Sequence, residues 1–120
     1  MDLSSFVQYH RKHIQGVRQR RDEARRVAFQ ALERMVPIFK TAPGLKRVYL
    51  FGSLNRSHFR EDSDIDLAVE GLSPKAFLEL SSQMQKLTSR QVDPIDLADC
   101  DRPFKEFIRK FGRLIYEQSS

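Results

Sequence analysis

Val48-Tyr49-Leu50-Phe51-Gly52-Ser53, then ten residues, then Asp64-Ile65-Asp66-Leu67-Ala68-Val69 is the stretch whose reading decides the fold. The β-branched and aromatic run from Lys46 to Phe51 predicts a strand ending at Gly52. Ser63 to Val69 predicts a second strand, stopped by Gly71. Side chains alternate across a strand, so Asp64 and Asp66 share one face while Ile65 and Leu67 enter the core. Two adjacent carboxylates repel and raise each other's pKa, which does nothing for folding. A divalent cation between them removes the repulsion. Hard oxygen donors select Mg²⁺ or Mn²⁺, and Mg²⁺ keeps positions open for substrate phosphates. Such a pair suits two-metal displacement at phosphorus, one ion activating the attacking oxygen and the other steadying the leaving pyrophosphate.

Gly52-Ser53 fits the same chemistry. A strand that ends in Gly-Ser before a helical turn offers backbone N–H groups and a hydroxyl to an anion, and glycine lets phosphates come close. Arg56, one turn beyond Ser53, is placed to neutralise a triphosphate. In isolation Gly52 reads as a strand terminator, Ser53 as a helix cap and Arg56 as a surface cation; the spacing to Asp64 lifts all three. A third carboxylate comes from Val92-Asp93-Pro94-Ile95-Asp96-Leu97, where Asp93 and Asp96 face opposite sides of a regular strand, so only one can join the pair. Asp93 is favoured because it lies near its strand's start, as Asp64 does; Asp96 requires the opposite registration. His10, His13 and His58 lack carboxylate or cysteine support at ligand spacing and are not expected to bind metal.

Outward from this centre, 120 residues hold one domain with one modest core. Apolar or small residues recur at a 3-4 spacing from Leu3 through Val7, Ile14, Val17, Ala24, Ala28, Ala31 and Met35 to Ile38. They predict one long helix, about Ser5 to Phe39, capped by Ser4 or Ser5 and bent or broken near Pro37. Its second half is apolar enough to pack on a sheet; its first half is too charged for that and projects or meets a partner. Ser73-Pro74 opens another helix, Gln91 to Leu97 is a third strand with Pro94 hinting at an edge, and Pro103 opens a last helix. Leu114 to Tyr116 adds a short final strand. The expected fold is α/β (α+β): a small mixed sheet of 3–4 strands with helices mainly on one face. The expected organisation is a basic helix over residues 1–40 and a compact part over 41–120.

Charge divides unevenly. Residues 1–47 carry 11 Lys and Arg against 4 Asp and Glu, a balance of +7, whereas residues 48–120 carry 10 against 12, a balance of −2. Seven cationic residues fall between Arg11 and Arg26. Most such runs are solvated helix faces, and without interleaved aromatic residues nucleic-acid binding is the weaker reading. Cys100 is the only cysteine, which excludes an intrachain disulfide and a cysteine-rich zinc site. No apolar run approaches the ~20 residues of a membrane span and no signal-peptide pattern opens the chain, so a cytoplasmic location is expected.

The Gly52-Ser53-x10-Asp64-x-Asp66 motif, within Val48 to Arg56 and Ser63 to Val69, resembles the minimal nucleotidyltransferase (MNT) family of the DNA polymerase beta-like superfamily. Kanamycin nucleotidyltransferase is a more distant relative. Val92 to Leu97 is similar to that family's Val-Asp-Leu-Val-Asp-Leu strand, whose first Asp is the third metal ligand and maps to Asp93. The resemblance covers roughly residues 45–117. Ser57 stands where a glycine is common, and Pro94 replaces an aliphatic residue. The resemblance implies a metal-dependent enzyme, with two Mg²⁺ ions (or Mn²⁺) held by Asp64, Asp66 and Asp93, transferring AMP from ATP to an acceptor hydroxyl. Many members are antitoxins that adenylylate a tyrosine of a HEPN-domain ribonuclease toxin. The alternative is a non-catalytic antitoxin module that neutralises its toxin stoichiometrically. The N-terminal stripe also permits a homodimer.

Overall fold

The computed structural model describes residues 2–56 and 58–119. Helix α1 spans Leu3–Thr41, and the Asp2 carboxylate caps it by accepting the Ser5 N–H at 2.7 Å. The sequence pointed to Ser4 or Ser5 as the cap. Asp2 serves instead because a negative charge also suits the positive end of a helix. The helix continues through Pro37. Proline removes an N–H directed at the carbonyl four residues back; here both residue 33 and residue 37 lie on the exposed side, where water can take the missing donor's place.

Only the second half of α1 is buried, through Ala24, Ala28, Ala31, Leu32, Met35 and Phe39. From Leu3 to Glu23 the side chains are exposed except for half-buried Gly16 and Val17. This projecting arm gives the molecule its 63 Å long dimension against 31 and 22 Å across.

Four strands follow: β1 (Arg47–Phe51), β2 (Ile65–Glu70), β3 (Val92–Asp96) and β4 (Arg113–Glu117). Their order is β3-β2-β1-β4, with β1 antiparallel to β2 and β4, and β2 parallel to β3. A parallel pair needs a crossover, supplied by helix α2 (Pro74–Gln85) with Ser73 as its cap. Pro94, which has no N–H to donate, sits on the edge strand β3. A 3₁₀ turn at Leu97–Asp99, not foreseen in the sequence, leads into helix α3 (Arg102–Phe111), capped by Asp101.

Strand alternation sorts the core into two layers. Val48, Leu50, Ile65, Leu67, Val69 and Val92 face α1 and α2, meeting Ala28, Met35, Phe39, Leu80 and Met84. Tyr49 and Ala68 point the other way, toward Leu97 of the 3₁₀ turn and Ile108 of α3. Two helices therefore cover one face and the short α3 the other, an α+β arrangement with the helical mass mainly on one side. Met35, Phe39, Leu50 and Leu67 are wholly enclosed, each worth about 1.5–3 kcal/mol relative to exposure. No described helix is long and apolar enough to cross a membrane.

Candidate active site

The site forms on the α3 side of the sheet, at the end where β1 finishes and β2 and β3 begin. β1 stops at Gly52, whose φ of 74° lies in the left-handed region. A Cβ at this position would also overlap the Asp66 carboxylate, so backbone conformation and space both demand glycine. The register explains the contact: Phe51 pairs with Asp66, so the residue after Phe51 runs past that carboxylate. The chain then turns, with the Arg56 N–H donating to the Ser53 carbonyl at 3.2 Å, and buried Leu54 anchors the turn in the core. From α1, Arg25 holds it outside, Nη1 donating to the carbonyls of Leu54 at 2.9 Å and Arg56 at 3.0 Å.

Parallel pairing sets Asp66 directly beside Asp93. Asp64, one residue ahead of β2, reaches the same place, and its carboxyl lies against that of Asp93. The close approach of the Asp93 carboxyl, then partial desolvation and the Asp93 charge, raises the Asp64 pKa above the usual carboxylate value. Burial, then the charges of Asp93 and Asp64, raises that of Asp66. Gln91 Nε2 donates to Asp93 Oδ1 at 3.2 Å. Asp96 is elsewhere: it pairs with Val69 and spends its carboxylate on the Ala98 N–H at 3.0 Å, capping the 3₁₀ turn. Asp93 rather than Asp96 thus stands with Asp64 and Asp66.

Among the described residues no ion pair reaches these three carboxylates. Nor do any three acidic, histidine or cysteine side chains close around one point. The arrangement is a contacting pair, Asp64 and Asp93, with Asp66 in register alongside. Its donors are hard oxygens crowded enough to oppose one another's ionisation, and such a set fits a divalent cation. Asp64 is exposed and Asp66 and Asp93 half-buried, which leaves a face open to substrate.

Next to the turn lies a cleft of about 380 Å³ lined by Gly52, Ser53, Asn55, Arg56, Phe107 and Phe111, among others. Gly52, Ser53 and Arg56 therefore border one space. Phe107 and Phe111 lie on the cleft side of α3 with ring centroids 5.3 Å apart. The helix gives its core position to Ile108 and leaves both rings substantially exposed at the cleft. The available signal was an apolar stripe (Phe104, Phe107, Ile108, Phe111) too wide for a helix covering one narrow sheet face. Asn55 Nδ2 joins the two walls by donating to the Phe111 carbonyl at 3.0 Å.

Solved structures share this architecture. A toxin-antitoxin crystallised with AMP-PNP superposes with a TM-score of 0.60 at 24% identity, covering 75% of this chain and 73% of that one. A mutant of the toxin-antitoxin MntA-HpeT gives 0.56 at 24% identity over 73% and 71% of the two chains. A Sulfolobus solfataricus protein designated a nucleotidyltransferase gives 0.55 at 20% identity over 80% and 86%. At these identities the likeness is one of fold. No curated protein matches the chain. The family model for polymerase beta nucleotidyltransferases matches residues 33–120, from the last turns of α1 through β4, and includes Gly52, Ser53, Arg56, Asp64, Asp66 and Asp93 but not Arg25. This chain therefore belongs to the polymerase beta nucleotidyltransferase family.

Proposed function

We propose that the chain transfers AMP from ATP to an acceptor hydroxyl, using Asp64, Asp66 and Asp93 as ligands for divalent metal. The observation that carries this reading is the parallel register: it sets Asp66 beside Asp93 at the point where Asp64 contacts Asp93 and Gly52 packs against Asp66. Bound Mg²⁺, as two ions or with Mn²⁺ in their place, would supply Lewis-acid polarisation of the phosphates and activation of the acceptor oxygen.

The chain's own groups do the rest. Gly52 and Ser53 bind the triphosphate through N–H groups and a hydroxyl, and Arg56 neutralises part of its charge. Phe107 and Phe111 offer ring faces to the base across the cleft. Asp93 takes the acceptor hydroxyl's proton as its oxygen attacks the α-phosphorus. The bond from that phosphorus to the bridging oxygen breaks, and pyrophosphate leaves with the electron pair. Positioning and charge neutralisation dominate such transfers, so one small domain suffices.

The acceptor we favour is a tyrosine of a HEPN-domain ribonuclease toxin, which makes the chain an antitoxin of the cytoplasm. The minimal-nucleotidyltransferase motif supports this choice, and the toxin-antitoxin solved with AMP-PNP has the same fold. Incubation with labelled ATP, Mg²⁺ and the co-expressed neighbouring protein tests it. Label on that protein, lost in Asp64→Asn, is expected; equal labelling by Asp64→Asn would overturn the assignment.

One observation favours a second reading, stoichiometric neutralisation of a partner. Leu3, Phe6, Val7, Tyr9 and Ile14 are all exposed on the α1 arm. An Asp64→Asn, Asp66→Asn double variant that still neutralises the partner in cells would favour binding over catalysis.

A further inference from the structure

Arg90 lies in the loop before β3, three residues ahead of Asp93. Its Nη1 donates to the carbonyls of Glu61 at 2.6 Å, Ser63 at 2.9 Å and Arg60 at 3.3 Å. Its guanidinium also sits over the ring of buried Phe59, 4.7 Å from the centroid. The three carbonyls belong to the four residues immediately before Asp64. Asp64 itself lies outside the β2 ladder, so the turn over residues 60–63 decides where its carboxylate points. One side chain thereby ties the segment that delivers Asp64 to the segment that delivers Asp93.

Arg90 is itself held from the opposite side. Gln85, at the end of α2, donates through Nε2 to the carbonyls of Arg90 at 2.8 Å and Thr88 at 3.3 Å, while its Oε1 accepts the Val92 N–H at 2.9 Å. The Ile65 N–H meets the Gln91 carbonyl at 2.9 Å, joining the two strand starts next to this clamp. A planar guanidinium suits the task because its donors are rigidly arranged, unlike those of a lysine ammonium. Turn carbonyls gathered on one cation also lose the freedom to drift, which a metal ligand on a loop needs.

We propose that Arg90 is a positioning residue for the metal site: it sets the Asp64 carboxylate against Asp93 by clamping the 60–63 turn. This rests on the reading of Asp64, Asp66 and Asp93 as metal ligands. The test is Mn²⁺ binding, followed by electron paramagnetic resonance without nucleotide, on wild type, Arg90→Met, Arg90→Lys and the control Arg34→Met. Arg34 also donates to a loop carbonyl, that of Leu87 at 3.2 Å, in the same connection as Arg90 but without a bond to the 60–63 turn. Arg90→Met is expected to bind Mn²⁺ about 10- to 100-fold more weakly, as loss of a ligand's supporting partner does. Arg90→Lys should fall between Arg90→Met and wild type, Arg34→Met should match wild type, and excess Mn²⁺ should restore nucleotidyl transfer in Arg90→Lys. If Arg90→Met fails to fold, Arg90→Lys decides alone. Wild-type Mn²⁺ affinity in a folded Arg90 variant would overturn the proposal, as would a transfer defect that excess Mn²⁺ leaves untouched. A wild-type protein that binds no Mn²⁺ would instead overturn the metal-site reading beneath it.

Discussion

The two ends of β2 treat acidic residues in opposite ways. At its far end Glu70 is held between Arg47 at 3.1 Å and Arg109 at 2.9 Å, an ordinary structural ion-pair network. Burial alone would raise the Glu70 pKa, but the hydrogen bonds from Arg109 and Arg47 outweigh it and hold the carboxylate below its usual value. At the near end Asp64 and Asp66 make no ion pair among the described residues; the Arg90 charge only partly offsets the carboxylates around Asp64, and both pKa values move up. One strand thus carries a carboxylate whose charge is satisfied by the fold and a group of carboxylates whose charge is not. The second condition opposes folding at neutral pH, so it points to a ligand the protein is built to receive.

The largest effect should come from removing charge at the unsatisfied end. Asp66→Asn is expected to lower nucleotidyl transfer on the order of a thousandfold, about 4 kcal/mol of transition-state stabilisation, in a steady-state labelled-ATP assay. The metal-free variant should melt no lower than wild type, because a repulsive partner has gone. A marked drop in melting temperature would place Asp66 with Glu70 among the structural carboxylates. Gly52→Ala should be nearly as damaging to transfer. It should also destabilise the fold by about 1–2 kcal/mol in urea titration, since the new Cβ meets the Asp66 carboxylate at a positive φ.

These residues also mark how far sequence alone could reach. Alternation on β2 and the spacing to Gly52-Ser53 made the Asp64, Asp66 and Gly52 placements legible, as did the 3-4 spacing that foretold α1. Asp93 and Asp96 could not be separated by residue type, because the choice depends on the β2–β3 register, a contact between segments 27 residues apart. Arg25 and Arg90 were invisible as clamps for a related reason. Each donates to backbone carbonyls, which every residue has, about 30 positions away. The cleft-lining roles of Phe107 and Phe111 were hidden because apolar periodicity does not say which part of a wide stripe the sheet covers.

Two smaller effects sharpen the contrast through pH. For Asp64 and Asp66 the folded pKa is raised, so their protonated form favours the fold. That contribution is present at acid pH and lost as pH rises through the folded values. Cations compete with those protons: Mn²⁺ affinity should fall on acidification at a pH above that of an ordinary aspartate, with proton release on binding measured calorimetrically in two buffers. For Glu70 the folded pKa is depressed, so its stabilisation is present above the usual glutamate value and lost as pH falls through the folded one. Glu70→Gln should therefore destabilise by about 1 kcal/mol or less at neutral pH, given its half-exposed arginine partners, and leave Mn²⁺ affinity unchanged.

The central claim is that Asp64, Asp66 and Asp93, with Gly52-Ser53 beside them, form a metal and nucleoside triphosphate site. Calorimetric titration of ATP with and without Mg²⁺, on wild type and Asp64→Asn, addresses it most directly. The account predicts Mg²⁺-dependent ATP binding by wild type that is lost or severely weakened in Asp64→Asn. Equal binding with and without Mg²⁺, or undiminished binding by Asp64→Asn, would contradict it.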